Sequence, residues 1–505
     1  MNTVEKEKTD HDAEKKEDIP PAAIEAPGKN RRMPTDPIKL IFEIVLLIVA
    51  FIPMIVWSII KYFLTQPKSI KGKVVLVTGS GRGLGRGFVE EFARHGCKVA
   101  CADIDPNLNQ ETVKLINEKY PECAKAYQCN VASVAEIKAL KENVIRDFGQ
   151  VNILVHNAAI VGGSAMCDFG DMYMYNVINI NLTSHFVLLR EFLPDMIERN
   201  EGHYVAVGSL ACFNAMKGAS LYIATKHGLL GLMNSLQHDL ESYPNNKVKG
   251  TLICPYFVNT SALYTKHWSI RLPELSIRHT VKAAVEGILK NRKIVTIPGH
   301  LYYVSHFLKT VRSTKTGSIT ESTVNDTVKV SNNQMDPTIK EQRSKAFLLK
   351  MIFEILHFLV MVVPLIIYSI VTNFLSQPKS VKDKVVLVTG SGRGLGRGIA
   401  EKFAQLGSHV ACVDIDENAN QDTIKRINEE YPARAKAYSC NVAKMTEVKK
   451  LEEAVIKDFG RVDILINNAG LIANSSFVNQ DEDFIDKIIG VNLTSHFYVR
   501  IFRIT

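Results

Sequence analysis

KVVLVTGSGRGLGRG, residues 73–87, stands twice in this chain, letter for letter, the second time at residues 384–398. Residues 74–77 form an unbroken aliphatic run, the pattern of a parallel strand covered on both faces, and Thr78-Gly79 ends it abruptly. A helix is expected from about Leu84, because Leu84, Phe88, Val89 and Phe92 recur at helical spacing until Gly96. Residues 98–102 read as the next strand. Between strand and helix, Gly79, Gly83 and Gly85 allow a tight turn, close approach of a pyrophosphate to the amides, and close packing of helix on sheet. Asp103 closes the second strand about 20 residues on, where its carboxylate suits the ribose hydroxyls of an adenosine.

Outward from the loop, Cys129-Asn130-Val131 is expected to end a third strand, and residues 153–155 a fourth that runs into His156-Asn157-Ala158-Ala159. Residues 205–207 read as a fifth strand with Ser209 at its C-terminal end, the edge where open α/β sheets bind ligands. This rhythm predicts an α/β fold with a doubly wound parallel sheet, a Rossmann domain that is complete once and partial the second time, and a hydrophobic segment read as a membrane segment precedes each copy. Tyr222 and Lys226 are four apart at the head of a helix whose inward face carries Leu229, Leu230, Met233 and Leu236, so the pair shares one face. A free phenol titrates at about 10, and a neighbouring cation is expected to favour the phenolate, making Tyr222 a proton shuttle. Ser209 is placed to hydrogen-bond the substrate oxygen as charge develops there.

TGSGRGLG, Asn157-Ala158, Asn181 in NINLTSHF, Ser209 and YIATK together resemble the short-chain dehydrogenase/reductase family, over residues 71 to about 300. The resemblance implies an oxidoreductase that transfers hydride with NAD or NADP, its catalytic residues being Asn181, Ser209, Tyr222 and Lys226. Asn181 would hold a water linking Lys226 to solvent, Lys226 would also bind the nicotinamide ribose, and Thr260 the carboxamide. Cofactor contacts are implied at Thr78, Gly79, Ser80, Arg82, Gly83, Leu84, Gly85, Asp103, Ile104, Asn130, Val131, Asn157, Ala158, Tyr222, Lys226, Pro255, Val258 and Thr260. In the second copy they fall at Gly390, Gly394, Gly396, Asp414 and Asn468. Asp103 repels a 2′-phosphate and favours NAD, whereas Arg82 is suited to pair with one and keeps NADP open. Four positions depart from the family pattern. His156 and Ala159 replace the outer residues of Asn-Asn-Ala-Gly, Tyr256 replaces glycine after Pro255, and Asn130 stands where an aspartate usually touches adenine.

The 505 residues suffice for about three domains, and 46% apolar with 22% charged residues is a globular composition. A net charge of +9, with no basic block interleaved with aromatics, argues against nucleic acid and for an anionic membrane surface. Nine scattered cysteines lack metal-ligand or disulfide spacing, so no metal site is expected, and His156, His185 and His227 read as fold histidines. Residues 1–37 are charged and expected to be a disordered tail. LIFEIVLLIVAFIPMIVWSIIKYFL, residues 40–64, lies in a first anchor, 38–65, and is long enough to cross a hydrocarbon core of about 30 Å. MIFEILHFLVMVVPLIIYSIVTNFL, residues 351–375, repeats it in a second anchor, 346–376, with Pro364 matching Pro53. Balanced flanking charges leave open whether each proline kinks a spanning helix or turns a hairpin. Residues 66–311 are read as the complete dehydrogenase domain, 312–345 as a linker and 377–505 as the second domain. The sequons at Asn181, Asn259 and Asn474 fall inside predicted domains, whereas Asn325 in the linker is expected to report topology.

The leader followed by FLTQPKSIKGKVVLVTG resembles a membrane-associated branch of the family that acts on steroids, retinoids and related lipid alcohols at the endoplasmic reticulum and lipid droplets. By that resemblance the catalytic domain faces the cytosol, the substrate is a lipophilic small molecule, and a homodimer is left open. Leu263, Tyr264, Trp268, Ile270 and Leu272 after Thr260 suit such a substrate. The second copy keeps Asn467-Asn468-Ala469-Gly470 and Asn492 but shows no counterpart of Ser209, Tyr222 or Lys226, and is expected not to catalyse by itself. Its strand at residues 464–466 would form an unpaired edge. Three readings stay open for it: a degenerate nucleotide module, a sheet completed by a partner, or a truncated or fused gene product. The alternative to an enzyme is a membrane or lipid-droplet scaffold that uses its nucleotide folds for assembly.

Overall fold

β1 (Val74–Thr78) is buried along its whole length, as its uninterrupted aliphatic run requires. Its side chains alternate: Leu76 packs into one apolar layer, Val75 and Val77 into the other. In the computed structural model the described residues are 65–161, 170–216, 218–260, 273–299, 301–302, 379–472 and 482–502. The expected tail, the linker with Asn325, the second anchor, and the first but for Thr65 lie outside them, as do Leu263 to Leu272. Among the described residues no helix is long and apolar enough to cross a membrane.

Helix α1 (Gly83–Arg94) follows β1, then β2 (Lys98–Asp103), α2 (Pro106–Lys119), β3 (Ala124–Gln128), α3 (Val134–Phe148) and β4 (Ile153–His156). The chain continues through α4 (Asp171–Ile178), a π-helical turn (Asn179–Thr183), α5 (Ser184–Glu198), β5 (His203–Val207), α6 (Ser220–Ser242), β6 (Lys249–Pro255), α7 (Ile277–Leu289) and β7 (Ile294–Ile297). The seven strands lie in the order β3-β2-β1-β4-β5-β6-β7, all parallel. One layer of helices packs Leu140, Leu188, Leu229 and Met233 on one face, and the other packs Phe88, Phe92, Val281 and Ile288. The buried face of α6 is Leu229, Leu232, Met233 and Leu236, while Leu230 is only half-buried, a correction that follows helical spacing from Leu229. β3 stops at Gln128, one residue short of Cys129, because Asn130 turns the chain there: its Oδ1 accepts the Ala132 amide at 3.0 Å.

The repeat builds the same pattern again: β8 (Val385–Thr389), α8 (Gly394–Gln405), β9 (His409–Asp414), α9 (Glu417–Glu430), β10 (Ala435–Ser439), α10 (Met445–Phe459) and β11 (Ile464–Ile466). Its parallel sheet has the order β10-β9-β8-β11. Helix α11 (Glu482–Ile489), a second π-helical turn (Gly490–Thr494) and α12 (Ser495–Tyr498) follow. β11 is half-buried where β4 is fully buried, since among the described residues β11 is the outer strand and β4 is interior. Both repeats belong to one compact unit, Pro67–Thr505.

Candidate active site

The loop after β1 uses glycine where no other residue fits. Gly79 and Gly83 have φ of +66° and +57°, and a Cβ on Gly85 would stand 1.8 Å from the Gly79 carbonyl oxygen. Asp105, Ser133 and Ser276 cap α2, α3 and α7 through their side chains, but Arg82 at the start of α1 gives no such bond. The first turn of α1 thus has no side-chain cap from Arg82, an arrangement that suits an anion.

Several residues expected at the cofactor also hold the loop. Ser80 is buried and its Oγ donates to Asn109 Oδ1 at 2.7 Å, and Asn109 Nδ2 donates to Cys101 O at 2.8 Å and Tyr127 O at 3.0 Å. Asn157 Nδ2 donates to the carbonyls of Thr78 and Gly79 at 3.2 and 3.1 Å, and Thr78 Oγ1 accepts the amides of Asn157 and Ala158. Asp103 Oδ2 accepts the Gly81 amide at 2.8 Å and its Oδ1 that of Asp105 at 3.0 Å. The Gly81 carbonyl accepts from Arg86 Nη2 at 2.8 Å and Thr112 Oγ1 at 3.0 Å. Arg86, Asn109 and Thr112 were missed by motif reading, yet each recurs 311 positions later, as Arg397, Asn420 and Thr423, with equivalent bonds. Comparing the two copies residue by residue is the signal that finds them. Ile104 beside Asp103 is 60% exposed, Arg82 is exposed, and Leu84 and Val258 are half-buried. Pro255 ends β6, Val131 is buried, and Thr260 lies so close to Gly83 that a Cβ there would be 3.4 Å from Thr260 Cγ2.

Asn181, Ser209, Tyr222 and Lys226 come together beyond the C-terminal ends of β4 and β5. Asn181 sits in the π-helical turn, a local distortion common at functional sites. Its side-chain amide makes paired bonds to the backbone of Ile160, both 2.8 Å, with a longer one to Thr225 Oγ1 at 3.5 Å. Ser209 opens the short turn Leu210–Cys212, accepts the Ala211 amide at 3.1 Å, and hydrogen-bonds the Tyr222 hydroxyl. Lys226 is buried; its Nζ donates to Val207 O at 3.1 Å and stands 5.6 Å from the Tyr222 ring centroid. The expected phenolate is corrected here. Burial pushes the Tyr222 phenol well above its usual range, and the Ser209 hydrogen bond only partly opposes it. Burial likewise lowers Lys226. The protonated phenol is therefore the resting form in this geometry.

His156, the departure from Asn-Asn-Ala-Gly, links Thr78 Oγ1 through Nδ1 at 2.6 Å and Ser184 Oγ through Nε2 at 2.6 Å. An imidazole spans a gap that the shorter Asn467 of the second copy does not, whose buried Oδ1 has no partner among the described residues. The His156 ring lies against that of His185, centroids 4.0 Å apart and planes tilted by 52°, and His185 bonds the Tyr204 hydroxyl at 2.8 Å. Burial, aided by the Lys226 ammonium, pushes His156 down to about 3, and His185 and His203 are also held well below their usual value by burial. Unfolded histidine binds a proton below about pH 6.5, so the native state loses stability as pH falls past that point. His156 alone is expected to cost about 2 kcal/mol between pH 7.5 and pH 5. Urea unfolding at the two pH values checks this, and equal midpoints would contradict it. Among the described residues no group of His, Cys, Asp or Glu is arranged to hold a metal, and no disulfide joins the described cysteines.

Residues 73–268 and 384–501 each match the short chain dehydrogenase family. The chain belongs to that family. It is accordingly an oxidoreductase acting on CH–OH groups, and the second match fits an internal duplication. This short chain dehydrogenase is 31% identical over 285 residues to retinol dehydrogenase 10-B of Danio rerio, covering 51% of this chain and 84% of the relative. It is 31% identical over 263 residues to epidermal retinol dehydrogenase 2 of Mus musculus, covering 52% and 85%. Against 17-beta-hydroxysteroid dehydrogenase 13 of Homo sapiens it is 32% identical over 273 residues, covering 54% and 89%. Among solved structures, a short chain dehydrogenase/reductase from Burkholderia phymatum in complex with NAD aligns at a TM-score of 0.45 and 24% identity, covering 52% of this chain and 99% of that one.

Proposed function

We propose that the first unit interconverts a hydroxyl and a carbonyl on a lipophilic substrate such as a retinoid, a steroid or a long-chain alcohol, with a nicotinamide cofactor. The observation that carries this reading is the convergence of Ser209, Tyr222 and Lys226 at the sheet edge that also holds the uncapped start of α1. The names of the similar retinol and 17-beta-hydroxysteroid dehydrogenases support the substrate class.

The residues present fit a dinucleotide. The Gly83 to Gly85 amides suit its pyrophosphate, Asp103 an adenosine ribose, and the exposed Ile104 the adenine face. When bound, the nicotinamide supplies the hydride acceptor or donor. Ser209 and Tyr222 then orient the substrate oxygen. Protonated Tyr222 is the acid form, ready to give its proton to a carbonyl oxygen in reduction, and the phenolate left behind is the form that takes the hydroxyl proton in oxidation. Lys226 offsets the phenolate charge of that exchange, and Asn181 braces the turn beside it.

NAD is the favoured cofactor, because the Asp103 carboxylate repels a 2′-phosphate. Asp103→Ala is expected to reduce the preference for NAD over NADP by about tenfold or more. Steady-state kinetics with both cofactors decide it, and an unchanged ratio removes Asp103 from that role. The second unit is proposed to hold a nucleotide without chemistry of its own: Gly392 donates to Asp414 at 2.7 Å, Arg393 leaves α8 uncapped, and Asn468 braces Gly390.

We further place the two apolar segments in the endoplasmic reticulum or lipid-droplet membrane, with the catalytic unit facing the cytosol. If both are hairpins, Asn325 stays unglycosylated in microsomes, and a glycan there puts the linker in the lumen. The functional test is full-length protein in microsomes with retinol, a 17β-hydroxysteroid and a long-chain alcohol, with NAD or NADP. Aldehyde or ketone from at least one is expected. No product from any, with nucleotide bound, contradicts the reading.

A further inference from the structure

One apolar cluster joins the two copies. Met174, Val177 and Ile178 of α4 and Leu221 of α6 are buried together with Ile485 and Ile489 of α11 and Phe497 of α12. Phe186, Leu493 and Tyr498 pack around them, and α11 lies against the π-helical turn that carries Asn181. The contact is built from equivalent positions. Met174 and Ile485, Ile178 and Ile489, and Phe186 and Phe497 are each 311 residues apart, the repeat offset. A surface that meets its own copy is the signature of an isologous pair, here formed within one chain.

The position of this contact matters for chemistry. Leu221 immediately precedes Tyr222, and α4 runs directly into the turn of Asn181. Met172 and Tyr175, on the other side of α4, are 72% and 52% exposed, so the burial of Met174 and Ile178 belongs to one face.

We propose that the second copy is the resident partner of the first: it covers the α4 face in place of a second chain, and so holds the Asn181 turn and the Tyr222 helix in register. The chain is then a pseudo-dimer with one catalytic unit. This face is closed inside the chain and does not serve a homodimer.

The effect on catalysis rests on the function proposed above, but the contact itself is read without substrate. Methionine oxidation of the intact full-length protein is expected to modify Met172 quickly and to spare Met174. In Ile485→Asp/Ile489→Asp, Met174 is expected to become reactive, while kcat falls on the order of ten- to a hundredfold and KM for NAD stays within a factor of about two. Ile485→Leu/Ile489→Leu, which keeps volume and apolarity, should retain both protection and kcat. Met174 oxidised as fast as Met172 in the wild-type protein overturns the proposal, whether or not the aspartate variant folds. So does a folded aspartate variant in which Met174 stays protected, or in which Met174 is exposed and kcat is unchanged. A wild-type protein without dehydrogenase activity but with Met174 protected until the aspartates are introduced leaves the pairing standing and removes only the proposed activity.

Discussion

Tyr222→Phe is expected to lower kcat/KM by about 10²–10⁴-fold while leaving nucleotide binding within a factor of about two. The ring fills the same buried space, so the fold is retained, but the hydroxyl that bonds Ser209 is gone. A merely structural Tyr222 predicts the opposite pattern, with stability reduced and activity per folded molecule kept. Initial rates normalised to bound nucleotide distinguish the two. Because burial holds the phenol protonated, reduction of a carbonyl should persist at neutral pH and oxidation should rise towards alkaline pH.

The second large effect is Gly85→Ala. The new Cβ would lie 1.8 Å from the Gly79 carbonyl oxygen and 2.8 Å from Asn157 Nδ2, neither of which is a flexible side-chain tip free to retreat. The loop must open, which is expected to cost about 3 kcal/mol or more in the first unit. For a unit of this size that corresponds to a fall in Tm of about 6–12 °C, with loss of dehydrogenase activity. Gly87→Ala offers a comparison two residues on, where the contacts at 2.9 Å are the side-chain methyls of Ile277 and Val281 and repacking is easier. A Gly85→Ala protein that melts within about 2 °C of wild type contradicts the packing of loop and helix.

Much of this architecture is legible in the chain because it rests on local periodicity. The aliphatic run of β1, the glycines after it and the apolar stripe of α1 each report a neighbour only a few residues away. The parallel order follows from the βα rhythm, since a crossover helix forces the next strand parallel. What escaped motif reading depends on partners far apart in sequence. Arg86, Asn109 and Thr112 look like ordinary helix-surface residues until the fold brings them to the Gly81 and Ser80 elements. Ile485 and Ile489 look like the buried stripe of any helix, and nothing local says that their neighbours are Met174 and Ile178. A cation four residues away favours a Tyr222 phenolate, but in the fold burial raises the phenol, opposed by the Ser209 hydrogen bond, while Lys226 is engaged by Val207. His156 departs from the usual motif, and the structure gives the reason in Thr78 and Ser184 on either side of the ring.

The central claim is that Tyr222 and its neighbours support hydride exchange between an apolar alcohol and a nicotinamide. The direct measurement is to supply membrane-embedded full-length protein with NAD and a panel of retinoid, steroid and long-chain alcohols deuterated at the carbinol carbon, and to follow the label. Deuterium is predicted to appear in the reduced nicotinamide, at a rate at least about a hundredfold above that of Tyr222→Phe. Nucleotide bound by both proteins with no label transferred from any alcohol would contradict the account and favour a scaffold that keeps its nucleotide folds for assembly.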